Sequence, residues 1–243
     1  MHRPRHNQVR RFNRGDGMAQ DSFSPTERSP VVQAFGSLVP VRLGLSDEVR
    51  MRSVAMLNRL LAHTIAIRDL YKKSHWQASG ATFYELHLLF DKHAGEQDQV
   101  MDALAERVQT LGGVARALAH DVSEETRLAR APSGIECAAN QLDRLVGAHE
   151  FILLEARPLA CAAADGGDLG TNDLIVSQVV RGNEMQSWFV MRHLTAQEVQ
   201  DFLATKLANF KVPRIVEFSD SLPREDTGKI FKRRLQEEYV TRK

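Results

Sequence analysis

The chain has 243 residues, 43% of them hydrophobic and 26% charged, with a formal net charge of +1. That length supports a sizeable core in one or two domains, and the near-neutral balance excludes a bulk composition tuned to nucleic acid or acidic substrates. No apolar run approaches the ~18 residues of a membrane span, and no apolar stretch follows the basic N-terminus to make a secretory signal.

Residues 1–45 are rich in Arg, Pro, Gly, Ser and Asn without a sustained hydrophobic period, which predicts a flexible arm. Its first 14 residues carry Arg3, Arg5, Arg10, Arg11 and Arg14 and no acid. Met18 is an alternative start that would remove this basic piece. From Ser46, a candidate N-cap, Val54, Leu57, Leu61, Ile65 and Leu70 recur near the helical period, predicting a first long helix that ends at Ser79-Gly80. Thr82 and Glu85 have the spacing of a capping box for a second helix, which reaches about Thr110 and stops at Leu111-Gly112-Gly113. A connection of roughly 20 residues follows, with a short helix expected near Val114–His120 and Pro132 at its close. The third helix is expected from about Gly134 to Ala164. A fourth starts at Asp168 or Thr171, after the turn Asp165-Gly166-Gly167, and runs to His193. Cys137 and Cys161 lie far apart in no metal-binding spacing, as in a reduced, cytoplasmic protein.

Four helices of about 25 to 30 residues around one long connection predict an all-α four-helix bundle over residues 46–194. At Thr195 the grammar changes to helix, a short strand at Arg214–Phe218, a Pro/Gly loop and a basic helix. Residues 195–243 therefore read as a separate α+β tail.

The chemistry concentrates between Tyr71 and Gly113. His87 and Asp91 stand at i, i+4 on one helical face, as do Asp102 and Glu106, with His75 upstream in a His-Trp pair. Imidazole and carboxylate ligands together suit Fe(II), with Zn(II), Mn(II) and Co(II) as competitors. Asp91 and Asp102 are 11 residues apart, about 16 Å along a helix, too far to share one ion within one chain. An antiparallel second copy would bring His75, His87 and Asp91 of one subunit opposite Asp102 and Glu106 of the other. Single residues of these types are more often solvated helix positions, but five in register are a poor fit to that reading. Glu-x-x-His, the ligand pair of sites contained within one bundle, does not occur in the chain.

These residues carry a resemblance. His75-Trp76, His87, Asp91, Asp102 and Glu106, with the run ALAERVQTLGG and the later GTNDLIVSQVVRGNEMQSWFVMRHL, resemble the Dps family of mini-ferritins over residues 46–194. The resemblance implies a ferritin-like bundle and a hollow dodecamer built from two-fold dimers. It also implies ferroxidase sites at the dimer interfaces, ferric mineral inside and hydrogen peroxide as preferred oxidant. It makes His75, His87, Asp91, Asp102 and Glu106 the iron ligands, with Glu106 binding most directly. Trp76 would trap stray oxidising equivalents or simply pack at the interface. Lys72 and Lys73 would tune the site's charge or lie solvated at a helix end. His63, His93, His120 and His149 match no ligand and read as structural or surface residues. Asp165, Asp168 and Asp173 would line an acidic pore or serve turns and caps. The arginine arm is a candidate for salt-sensitive DNA binding, multiplied by the copies on a shell.

The tail has its own resemblance, to the end of acyl-CoA synthetases and related adenylate-forming enzymes, through Pro223, Arg224, Gly228, Lys229 and Ile230. The matching lysine stabilises charge in adenylation, but here the nucleotide-binding domain is missing. Lys229 is therefore expected to be inactive, and the tail to be a fused remnant.

Overall fold

The computed structural model describes residues 31–80, 82–205, 208, 211–216 and 236. The chain folds as α1 (Asp47–Gln77), α2 (Phe83–Thr110), α3 (Ala119–Glu125), α4 (Ala138–Asp165), α5 (Leu169–Leu174) and α6 (Arg181–Ala204). A π-helical segment, Ile175–Val180, joins α5 to α6, so these three form one rod. Among the described residues there is no strand. α1 packs along α2, α4 along α6, and α1 against α4, giving the expected four-helix bundle.

Local chemistry explains most of the boundaries. Ser46 is extended and its hydroxyl accepts from Val49 N at 3.3 Å, with Asp47 and Glu48 in the first turn complementing the helix dipole. The capping box expected at Thr82 does not form. Thr82 sits at φ −100°, ψ 19°, outside the extended conformation a capping side chain needs, and makes no side-chain cap bond. The turn is closed by backbone instead, from Phe83 N to Gly80 O at 3.2 Å.

The end of α2 needs both of its glycines. Gly112 N donates to Gln109 O and Gly113 N to Val108 O, with Gly112 at φ 81°. A Cβ on Gly112 would lie 2.6 Å from Val39 O, and one on Gly113 would lie 2.6 Å from the Val54 side chain. Gly112→Ala should therefore cost roughly 2–4 kcal/mol, from positive φ plus a clash with backbone. Urea unfolding measures this, and a loss below about 1 kcal/mol would contradict it.

Those contacts involve residues that composition alone assigns to the flexible arm. Val39 N donates to Gly112 O at 2.9 Å, and Gln33 Nε2 reaches the same carbonyl at 2.9 Å. Arg50, buried on α1, donates from one guanidinium nitrogen to Val39 O and Leu111 O. Arg116 lies over the Phe35 ring, 4.7 Å from its centroid. The stretch 33–45 is thus tied to the bundle by long-range bonds that leave no periodic trace in sequence. Arg3, Arg5, Arg10, Arg11 and Arg14 lie outside the described residues.

Two further boundaries differ from expectation. The short connection helix is α3, later than 114–120, because buried Asn58 holds the preceding chain extended. Its amide donates to Val114 O at 3.1 Å and accepts from Arg116 N at 2.9 Å. At the other end, α6 continues through Leu194 to Ala204. No Gly or Pro lies between Gly182 and Pro213, so nothing in the backbone stops the helix where the sequence changes character. Gln200 then bonds Pro213 O and Arg214 O at 3.2 and 2.9 Å. Residues 214–216 are not strand, and the rest of the expected strand, with Pro223, Arg224, Gly228, Lys229 and Ile230, lies outside the described residues.

Leu57, Leu60, Leu61 and Ile67 of α1 meet Leu86, Phe90 and Leu104 of α2 and Leu142, Leu145 and Ile152 of α4, all essentially without exposure. Each such side chain contributes about 1.5–3 kcal/mol of burial, which fixes the α1–α2 hairpin that carries the site.

Candidate metal centre

The hairpin places His75, at the end of α1, directly against His87, near the start of α2. Their rings stack with centroids 3.7 Å apart and 21° between planes. His75 Nδ1 lies 2.8 Å from His87 O, and His87 Nδ1 lies 3.0 Å from His75 O. A carbonyl oxygen only accepts, so both Nδ1 atoms carry hydrogen. In the neutral imidazole Nε2 is then the nitrogen with the lone pair that a metal ligand needs, and each ring is held by the hydrogen bond that selects this tautomer. The same pair of bonds satisfies two carbonyls near the hairpin end.

Asp91 follows one turn after His87, with Oδ1 4.0 Å from His75 Nε2. That oxygen accepts from Lys72 Nζ at 2.7 Å, and the ammonium holds the Asp91 carboxyl below the usual range. Lys72 therefore belongs to the site. Lys73 turns away, to Gln77 Oε1 and Gly134 O. Trp76 is 72% exposed, 6.0 Å from Lys72 Nζ, and lines with Lys72, Asp91, Arg68 and Asp98 an open cleft of about 620 Å³.

Asp102 and Glu106 lie on the same helix but not in this cluster. Both are exposed, and Asp102 is about 16 Å further along α2 than Asp91. Among the described residues, no group of three or more His, Cys, Asp or Glu within one chain is close enough to hold a metal ion. One copy thus presents two imidazole Nε2 atoms with a salt-bridged carboxylate beside them, and a separate exposed Asp/Glu pair.

The other candidates separate cleanly. Asp168 caps α5, accepting from Thr171 N at 3.0 Å, and meets Arg107 at 2.6 Å while 1% exposed. It is a cap and a buried ion-pair partner, not a pore lining; Asp165 and Asp173 are exposed. His120 is exposed on α3, whereas His63, His93 and His149 are fully buried. Sequence reasoning missed that His93 and His149 join Tyr71 and Asn183 in one polar network at the bundle centre. The available signal was polar residues falling on the buried helical faces, which spacing alone does not distinguish from exposed ones.

The ferritin-like domain pattern matches residues 54–198, more than half of the chain. The chain is 48% identical over 137 residues to a protein of Kitasatospora aureofaciens described only as uncharacterized, covering 56% of this chain and 91% of that one. It is 32% identical over 155 residues to the nutrient stress-induced DNA-binding protein of a Synechococcus strain, covering 63% of this chain and 88% of the relative. Among solved structures, DpsC from Streptomyces coelicolor is 50% identical with a TM-score of 0.67, over 68% of this chain and 96% of that one. The residues matched by the ferritin-like pattern, 54–198, include His75 and His87 of the α1–α2 hairpin. The chain belongs to the ferritin-like domain family and, within it, to the Dps proteins.

Proposed function

We propose that this protein oxidises Fe(II), its substrate, at sites shared between two copies, and stores the ferric product inside a hollow dodecamer built from two-fold dimers. The observation that carries the reading is the pair of His75 and His87 rings, each locked with an Nε2 lone pair beside Asp91. Asp102 and Glu106 of the second copy complete the ligand set, and Glu106 makes the most direct contact with iron. Hydrogen peroxide is the preferred oxidant. Two Fe(II) ions supply its two electrons together, which avoids release of hydroxyl radical and protects DNA and cell from oxidative damage. Anaerobic titration with peroxide tests this: about two Fe(II) should be consumed per peroxide with little spin-trapped radical. Oxidation at a ratio near one, with abundant radical adduct, would refute it.

Lys72 occupies the Asp91 oxygen that iron needs, so it acts as a stand-in cation displaced on loading. Lys72→Met should tighten Fe(II) binding by up to about fivefold, the worth of an exposed ion pair. Calorimetric titration under argon reads this directly; weaker binding in the variant would mean that Lys72 helps to hold the site.

A second reading, DNA binding, is favoured by the five arginines of residues 1–14 and by the DNA-binding relative. A gel shift at two salt concentrations, with and without residues 1–17, decides it, and no salt-dependent shift in either protein removes the reading. The proposed setting is cytoplasmic, in association with the nucleoid; no helix among the described residues is long and apolar enough to cross a membrane. For residues 195–243, which include Lys229, we propose a fused remnant of an adenylate-forming enzyme, without ligase activity.

A further inference from the structure

The bundle centre holds polar side chains that the iron site does not use. Tyr71, His93, His149 and Asn183 are each 0% exposed. Their protons can be placed by direction. Asn183 Nδ2 donates to Val179 O at 2.7 Å, in the π-helical segment before α6, which turns its Oδ1 toward His149. That oxygen only accepts, so His149 Nδ1, 2.8 Å away, carries the hydrogen and Nε2 bears a lone pair. The Tyr71 hydroxyl, 2.5 Å from Nε2, is therefore the donor, and its oxygen accepts from His93 Nδ1 at 3.1 Å. The result is a phenol aimed at an unprotonated base and sealed from solvent.

Packing does not require a hydroxyl here. A phenylalanine would fill the same volume beside Phe90 without the cost of burying a phenol, an amide and two imidazoles. Burial raises the Tyr71 hydroxyl well above its ordinary pKa, so the proton does not leave by itself. Burial also lowers His149 to about 4, which keeps its lone pair free at neutral pH. The oxidised phenol is a strong acid, and only then does proton transfer to His149 become favourable. Tyr71 and His75 lie one turn apart on α1, about 6 Å along the axis.

We propose that Tyr71 is a buried one-electron donor that quenches oxidising equivalents escaping from the iron site, handing its phenolic proton to His149 Nε2 as the electron leaves. The proposal rests on the iron-oxidising reading given above. Its oxidant is a hydroxyl radical, formed when a single Fe(II) reduces peroxide by one electron. That radical takes the electron and becomes hydroxide. The Tyr71 O–H bond breaks and an N–H bond forms at His149, so three neutral species become a neutral phenoxyl radical, an imidazolium and hydroxide. A second Fe(II) then returns an electron to the phenoxyl radical, the proton goes back from His149, and Fe(III) is the product. One-electron leakage is converted into the pairwise outcome. Trp76, by contrast, is exposed, so its oxidation would release a proton to solvent.

Freeze-quenched EPR of the full-length protein mixed with Fe(II) and peroxide tests the relay. The expected result is a narrow organic radical whose hyperfine pattern collapses when the protein carries ring-deuterated tyrosine. It should be lost in Tyr71→Phe, retained in Tyr84→Phe and at least severalfold weaker in His149→Gln, while Fe(II) oxidation continues in all three. Fe(II) oxidation with no tyrosyl radical, or with one undiminished in Tyr71→Phe, overturns the relay and leaves the iron reading standing. If Fe(II) is not oxidised at all, the iron reading fails. The iron-free protein with a photogenerated ruthenium(III) oxidant then decides the relay. A Tyr71-dependent radical slowed in D2O supports it, and its absence overturns it.

Discussion

Two inactive variants of this chain, co-expressed with different affinity tags, should regain about one quarter of the wild-type Fe(II) oxidation rate. One variant is His75→Ala/His87→Ala and the other is Asp102→Ala/Glu106→Ala. Each alone should lose on the order of 100-fold or more, since two ligands of every site are gone. In a random mixture about half of the two-fold dimers contain one of each. Such a dimer has one site with every ligand and one that keeps only Asp91, so roughly a quarter of all sites are whole. If the ligands sat within one chain, mixing would restore nothing. The spacing requires this arrangement if both clusters serve one centre: Asp91 sits about 16 Å and His87 about 22 Å from Asp102 along α2. Circular dichroism controls for the reciprocal His75–His87 bonds, whose loss should cost about 1 kcal/mol each.

The bundle was legible because its signals are periodic. Leu57, Leu61 and Ile65 mark a buried stripe, Ser46 marks a start, and Gly112-Gly113 a stop; all three signals hold in the structure. Bonds between distant residues were not legible. Nothing in the local sequence says that Asn58 will pin Val114 and Arg116, or that Arg50 will fasten Val39. Those bonds moved α3 and tied residues 33–45 to the bundle. The Thr82–Glu85 spacing misled for the opposite reason: a capping box is a pattern of types, but it forms only if the cap residue is extended. For the site, spacing put His75, His87 and Asp91 within mutual reach, and the hairpin brings them together. Lys72 stood beside Lys73 as a candidate for tuning the charge, but its pairing with Asp91, the tautomers and the buried Tyr71 network depend on which face meets which, and residue spacing does not carry that.

Acidification should unfold the bundle from its centre. His63, His93 and His149 are fully buried, and desolvation lowers each to about 4. The unfolded chain titrates these groups near the ordinary value of about 6.5. Between roughly pH 6.5 and 4 the unfolded state therefore binds protons that the folded state refuses, and unfolding becomes easier as pH falls. Above that window both states are neutral at these positions and the contribution is constant. The depressed carboxylates, Asp91, Asp121 and Asp168, do not offset this. Their stabilisation is complete above their unfolded pKa of about 3.9 and disappears only at lower pH. Each histidine contributes up to a few kcal/mol, so three together rival the ~5–15 kcal/mol that holds a typical domain. Urea midpoints measured at pH 7.5, 6 and 5 should fall steeply, with a slope approaching about three protons per chain near the bottom of the window. His149→Gln keeps an acceptor for Tyr71 and a donor for Asn183 but removes one titrating group, so its slope should approach about two. Midpoints that stay level between pH 7.5 and 5 would mean that the core admits protons, or water, without opening.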